Sequence, residues 1–182
     1  MMAASLLPGE VPVSLNEARG WLRLGPSLDD AVVAQLLRAA TSICEAYIGQ
    51  WLIVRTADEV LSLRGGAARP TARPVIAVEA VTLLAADDAQ TALGAADYRL
   101  VREPGGAVRL VIAAPGDADR VSITYRAGLA DGVNAVPEAI RQGIVRMTQH
   151  LHDARDGAAA TPPAVIAALW QPWRMLSLGG VR

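Results

Sequence analysis

Apolar residues recur at spacings of three and four from Leu28 to Ile48, through Val32, Val33, Leu36, Leu37, Ala40, Ile43, Cys44 and Tyr47. That period gives one apolar stripe along a helix and predicts a core-facing helix over 28–48. Ser27 is placed to cap it, Asp29 and Asp30 fall in its first turn where the helix dipole favours negative charge, and Gly49 follows its last periodic residue. A shorter helix over 14–24 precedes it, with Leu15, Ala18 and Leu22 on one side and Gly25-Pro26 as the stop. Ser14 and Glu17 have the spacing of a capping box, in which hydroxyl and carboxylate each accept a bond from an unpaired amide.

From Trp51 to Arg126 the pattern changes to short runs of β type: WLIVRT, EVLSLR, VIAVEAVTLL, DYRLV, AVRLVIA and RVSITYRAG. They are separated by Gly65-Gly66, Pro70 to Pro74, Asp87-Asp88, Pro104-Gly105-Gly106 and Pro115-Gly116, all turn formers. The stretch YRLVREPGGAVRLVI predicts a hairpin turning at EPGG. Helical periodicity returns over 137–156, with Pro137 in the first turn and Ile140, Ile144, Met147 and Leu151 as the buried stripe. Gly143 on the same side would allow another backbone to approach closely. GAAATPP then reads as a linker, and AVIAALW allows two helical turns before Pro172.

Strands grouped between helices, rather than alternating with them, predict an α+β fold and exclude a doubly wound nucleotide-binding fold. The expected architecture is a helical bundle, two N-terminal helices and one long C-terminal helix, with a small antiparallel β-sheet inserted over 51–126 and an extended C-terminal arm. Residues 1–157 form the body in this scheme, and 158–182 the linker and arm.

Composition changes this picture little. The formal net charge of −1 supplies no field that would draw the whole chain onto nucleic acid or an acidic membrane. All 17 Lys and Arg positions are arginine, so the lysine of a P-loop is missing. The N-terminus lacks the pattern of a secretion signal, no apolar run reaches the length of a membrane span, and Cys44 has no partner for an internal disulfide, which together predict synthesis in the cytoplasm and no membrane.

Candidate chemistry is sparse. His150 and His152 of HLHD lie two apart, and on a helix such residues point about 200° away from each other, so they cannot chelate one ion. Cys44 sits on the apolar stripe, where free cysteine acts as a small hydrophobe. The pairs Asp29-Asp30, Asp87-Asp88 and Asp117/Asp119 sit where Asp caps helices and makes turns. No cofactor and no catalytic set is predicted. Arg64, Arg69 and Arg73 of LRGGAARPTARP form a basic loop; it is either a solvated surface or a contact for DNA phosphates or a partner's carboxylates, both of which arginine binds bidentately.

The terminal LWQPWRMLSLGGVR raises a different question, because it holds two of the four tryptophans. It either folds back on its own core or docks on another subunit. The linker before it, the spacing of Trp170 and Trp173 around Pro172, and its aromatic, Met and Arg content favour a docking segment that orders on binding.

Taken in order, VSLNEARGWLRL, LDDAVVAQLLRAATSICEAYIGQWLIVRT, RPVIAVEAVTLL, DYRL, VSITYRAG, VPEAIRQGIVRMTQHLHDARDG and LWQPWRMLSL resemble the head-tail connector, or adaptor, proteins of long-tailed bacteriophages and gene transfer agents. The resemblance spans nearly the whole chain and departs from the family at His150 to Asp156 and at Trp173-Arg174, where the family has Tyr-Arg. It implies a virion component without enzymatic activity: a homo-oligomeric ring of twelve beneath the portal protein, extending the DNA channel, at the head-tail junction. The implied partners are the portal, neighbouring copies, a downstream stopper or tail protein, and double-stranded DNA passing without sequence-specific contact. A portal-docking arm would comprise Leu169, Trp170, Trp173, Arg174, Met175, Leu176 and Leu178. A tail-completion or stopper protein is the second reading, and a small metal-dependent hydrolase using His150 and His152 the third.

Overall fold

In the computed structural model, described over residues 10–25, 30–87, 89–103, 105–154 and 161–175, the chain builds a helical unit from Pro8–Ile53 with Ala130–Met175 and a β unit from Val54–Leu129. The fold is α+β, as the grouping of strands predicts.

The helical unit begins with α1, Leu15–Leu22. Ser14 caps it by accepting from Glu17 N–H at 3.2 Å, while the Glu17 carboxylate accepts from Arg141 at 2.9 Å. One half of the expected capping box is therefore present, and the other partner reaches across to a different helix. Arg23, in the left-handed conformation at φ 55, ends α1 ahead of the expected Gly25-Pro26 stop, with Arg23 and Leu24 amides bonded back to Gly20 and Arg19 carbonyls. Helix α2, Asp30–Ile48, buries Val33, Leu37, Ala40, Thr41, Cys44 and Ile48. Val32, expected in that stripe, is half exposed; Ser27, Leu28 and Asp29 lie outside the described residues. By length and composition α2 also suffices to cross a membrane, contrary to the sequence expectation, but its buried stripe packs on α3 and its other face exposes Arg38. Burial pushes the Cys44 thiol well above its ordinary pKa, with the Glu45 charge adding to the effect, which keeps it protonated and inert.

Helix α3, Glu138–Ala154, packs against α2 and α1 through Ile140, Ile144, Val145 and Met147. The buried hydroxyls of Thr41 and Thr148 donate to the carbonyls four residues earlier, at 2.8 and 2.9 Å, so neither is left unpaired. Ion pairs link the helices at the rim: Arg19 to Asp30 at 3.3 Å and Arg141 to Glu17 at 2.9 Å.

The terminal segment corrects the expectation of an arm ordered only by a partner. Ala164–Trp170 forms helix α4 and Gln171–Trp173 a 3-10 turn. Trp170 is fully buried, its Nε1 donating to the Ile140 carbonyl at 3.2 Å and its ring 5.9 Å from that of Tyr47. Gly143 is what makes room for it: a Cβ there would lie 2.1 Å from Trp170 Nε1. The close approach expected at Gly143 thus comes from an indole rather than a backbone. Beyond Trp170 the chain stays attached, with Tyr47 Oη donating to Gln171 Oε1 at 2.9 Å, Gln50 Nε2 to the Trp173 carbonyl, and the Met175 amide to the Ile48 carbonyl at 2.8 Å.

The β unit holds two antiparallel sheets where one was expected. Strands β1 (Arg55–Ser62), β2 (Ala67–Ala68), β3 (Val75–Ala85), β4 (Gln90–Ala92), β5 (Tyr98–Arg102), β6 (Val108–Ile112) and β7 (Ala118–Ala127) pair in the orders β1-β7-β3-β4 and β2-β6-β5. The runs WLIVRT and EVLSLR contribute to a single strand, β1, because Arg55 to Ser62 pairs without interruption with Ala127 to Arg120. β7 is the centre of the larger sheet and buries Val121, Ile123, Tyr125 and Ala127 on alternate positions. The EPGG hairpin forms as expected, Gly106 N–H bonding Glu103 O and Gly105 and Gly106 taking positive φ.

Gly143→Ala forces the indole out of its seat, and the expected cost is about 1–3 kcal/mol of stability, the range for overpacking a filled core. A urea melt followed by tryptophan fluorescence checks this through a lowered midpoint at unchanged slope.

Candidate functional site: an arginine-lined groove

Gly65 and Gly66, at φ 58 and 71, make a tight turn that bonds Arg64 and Ala67 to each other through both of their backbone amides, at 2.9 and 3.1 Å. Arg64 lines an open groove of about 350 Å3 together with Leu61, Ser62, Ala67, Ala68, Arg69 and Arg109. Glu103 joins the cluster, accepting from Arg69 at 3.0 Å and pairing with Arg109 at 3.3 Å. The Arg69 hydrogen bond holds the Glu103 carboxyl below the usual carboxylate range, with the charges of Arg69, Arg109 and Arg73 adding to it. Three guanidinium groups against one carboxylate leave the groove positive.

The structure therefore brings Arg64 and Arg69 together and leaves Arg73 outside the lining, half-buried before Pro74. Arg109 is the residue that sequence reasoning misses. Its signal is present in the alternation of β6, where Val108, Leu110 and Ile112 face the core and Arg109 faces away, but the pairing of β6 with β2 is needed to place it beside the loop.

The loop is held from beneath by a buried polar network. Glu59, on β1, accepts from Tyr125 Oη at 2.9 Å and from the Thr71 amide at 3.0 Å, while Tyr125 Oη accepts from the Ala72 amide at 2.9 Å. Two backbone amides of the arginine loop, a phenol and a carboxylate thus satisfy one another away from water. Burial, with the Glu59 charge beside it, pushes the Tyr125 phenol above its ordinary pKa, so it remains a donor at any physiological pH.

Of the proposed docking residues, Trp170 belongs to the helical core, Leu169, Trp173 and Met175 are half-buried, and Arg174 is exposed with its guanidinium 5.0 Å from the Tyr47 ring centroid. Leu176 and Leu178 lie outside the described residues. His152 Nδ1 sits 3.3 Å from Asp153, and among the described residues no group of three or more His, Cys, Asp and Glu side chains is placed to hold a metal ion.

No protein-family model and no curated protein sequence matches the chain. Solved structures do. A chain from the neck of an empty gene transfer agent particle, computed with C6 symmetry, is 28% identical over 100% of both chains at a TM-score of 0.75. The chain has the fold of a gene transfer agent neck protein. A chain from the virion of the native gene transfer agent particle is 26% identical over 99% of each chain at 0.75, and one from the native neck, computed with C12 symmetry, is 27% identical over 100% of each at 0.72. The resemblance to head-tail connectors of phage-like particles stands on these neighbours, and the head-tail junction expected from the sequence agrees with the neck in which they sit.

Tyr125→Phe removes one partner each from Glu59 and the Ala72 amide, both at buried positions, and is expected to cost about 1–3 kcal/mol. Equilibrium denaturation gives the cost, and faster hydrogen exchange at Thr71 and Ala72 would locate it in the arginine loop.

Proposed function

We propose that this chain is a structural head-tail connector of a phage-like particle. Copies form a ring beneath the portal, extend the DNA channel and offer the next tail component its attachment surface. The observation that carries this reading is the likeness over the full length of both chains to chains from gene transfer agent necks, computed with C6 and with C12 symmetry. Repeated copies around an axis give avidity, so each contact can be weak while the ring as a whole holds firmly. A near-neutral chain suits a conduit, because strongly basic walls would retain DNA through counterion release. Neither the role nor the described side chains call for catalysis.

Docking to the portal falls to the end of the chain. Trp170 is engaged with Ile140 and Gly143, so the arm begins at Trp173, Arg174 and Met175 on the surface of the helical unit and continues through Leu176 and Leu178. Direct capture by the portal is what the connector reading requires and the tail-completion or stopper reading does not.

Capture of the full chain by the portal protein of the same genome, compared with a chain ending at Met175, tests this. The shortened chain should keep the melting curve of the full one and lose at least tenfold in capture. Equal capture would confine any contact made by the end of the chain to Trp173, Arg174 and Met175 or move it to the helical body, and no capture by either form would favour the stopper.

A further inference from the structure

Helix α2 has the apolar content of a membrane span, yet only 33% of that span is buried in the single chain. Asp30, Arg38 and Glu45 are its acidic and basic residues, and at about 100° per residue they fall within about 80° of one another on one flank of the buried stripe. The other flank is aliphatic. Val32, Leu36, Ala39 and Ile43, at spacings of four, three and four, fall there within about 60° of one another. Val32 is 50% exposed, Ala39 is exposed, and Leu36 and Ile43 are half-buried. The spacing is that of a coiled-coil seam, and the short side chain of Ala39 leaves a hole among the three larger ones.

A match for this seam lies on another side of the helical unit. Asp30 pairs with Arg19, so α1 lies along the charged flank of α2 and the seam faces away from it. Trp21 of α1 turns towards α3, its Nε1 donating to Gln149 Oε1 at 2.8 Å and its ring centroid 5.7 Å from the Arg146 guanidinium, and it remains 42% exposed. An indole whose N–H is already paired offers only its ring, and four aliphatic side chains can cover that ring without leaving a polar group unpaired. A charged side chain laid on the same seam would lose water and gain no partner. We propose that the α2 seam receives Trp21 of the next copy, its ring over Ala39 and among Val32, Leu36 and Ile43. This rests on the connector reading for the presence of neighbouring copies, and the similar chains come from necks computed with C6 and C12 symmetry. Knob and seam lie on different sides of one copy, so the contact is head-to-tail, and a closing rotation turns it into a ring.

Cross-linking tests it. Gly20, beside the knob, and Gln35, beside the seam, are exposed, a Cβ at Gly20 would meet nothing within 4 Å, and the native Cys44 is buried and protonated. In rings assembled on the portal from an equal mixture of Gly20→Cys and Gln35→Cys chains, a short bismaleimide should join the two kinds of chain in pairs, and rings of either kind alone should give none. Adding Ala39→Glu to the Gln35→Cys chain, with a wild-type melt, should abolish the pairs. In an otherwise unaltered chain, Ala39→Glu should lower ring assembly, read by native mass spectrometry, by about tenfold or more, the effect of losing an interface anchor. Rings that form without cross-linked pairs overturn the proposal, as does cross-linking of Gln35→Cys chains to one another, which would mean that seam meets seam. Pairs that survive Ala39→Glu while capture by the portal falls also overturn it and assign the seam to the portal. If the wild-type chain forms no ring on the portal, the connector reading fails and this inference with it; wild-type rings with any of the other adverse results sink the inference alone.

Discussion

The seat of Trp170 on Gly143 is the constraint on which the helical unit depends. A fully buried indole contributes more apolar area than any other side chain in a core, and its N–H must also find a partner. Here the Ile140 carbonyl provides that partner, the missing Cβ of Gly143 provides the space, and Tyr47 closes the site from α2. Helices that lie on either side of the entire β unit in sequence are thereby joined at one point. The residues after Trp170 are positioned by the same seat, since Gln171, Trp173 and Met175 are each bonded to α2 or to the residues just after it. The last helix is thus a clasp first, and whatever it offers a partner is offered from a fixed place.

The β unit solves an analogous problem with polar groups. A loop rich in arginine and proline has little apolar surface with which to hold itself. The Glu59-Tyr125 pair fixes it through the amides of Thr71 and Ala72, and the Gly65-Gly66 turn orients Arg64. Exposed charge on a loop anchored in this way is a usable recognition element, because less conformational entropy is lost when a partner binds. Such fixed, individually modest contacts suit a protein that works in many copies.

Features that depend on local periodicity are legible in the sequence. The stripe from Val33 to Ile48, the stop at Gly49, the Pro137 start, the EPGG hairpin and the two turns of AVIAALW can all be read from spacing and turn chemistry. Features that depend on pairing across the chain cannot. Nothing near Val108 says that β6 joins β2 and not the larger sheet, which is why Arg109 escapes notice and a single sheet is expected. The fate of Trp170 is hidden for a related reason. Two aromatics around a proline after a low-complexity stretch read as an interface motif, and the deciding fact is a glycine 27 residues earlier, across the helix pair. The position of Gly143 on the buried stripe announces a close approach without saying which group makes it.

The most direct test of the clasp is equilibrium unfolding of the full chain carrying Trp170→Ala or Trp173→Ala. If Trp170 is the clasp, its removal leaves a cavity, takes away the indole's bond to the Ile140 carbonyl and lowers stability by about 3–5 kcal/mol, whereas Trp173→Ala, at a half-buried surface position, changes it by less than about 1 kcal/mol. Equal and small effects of the two substitutions would contradict the clasp, return both rings to the role of free docking anchors and require another explanation for the core position of Gly143.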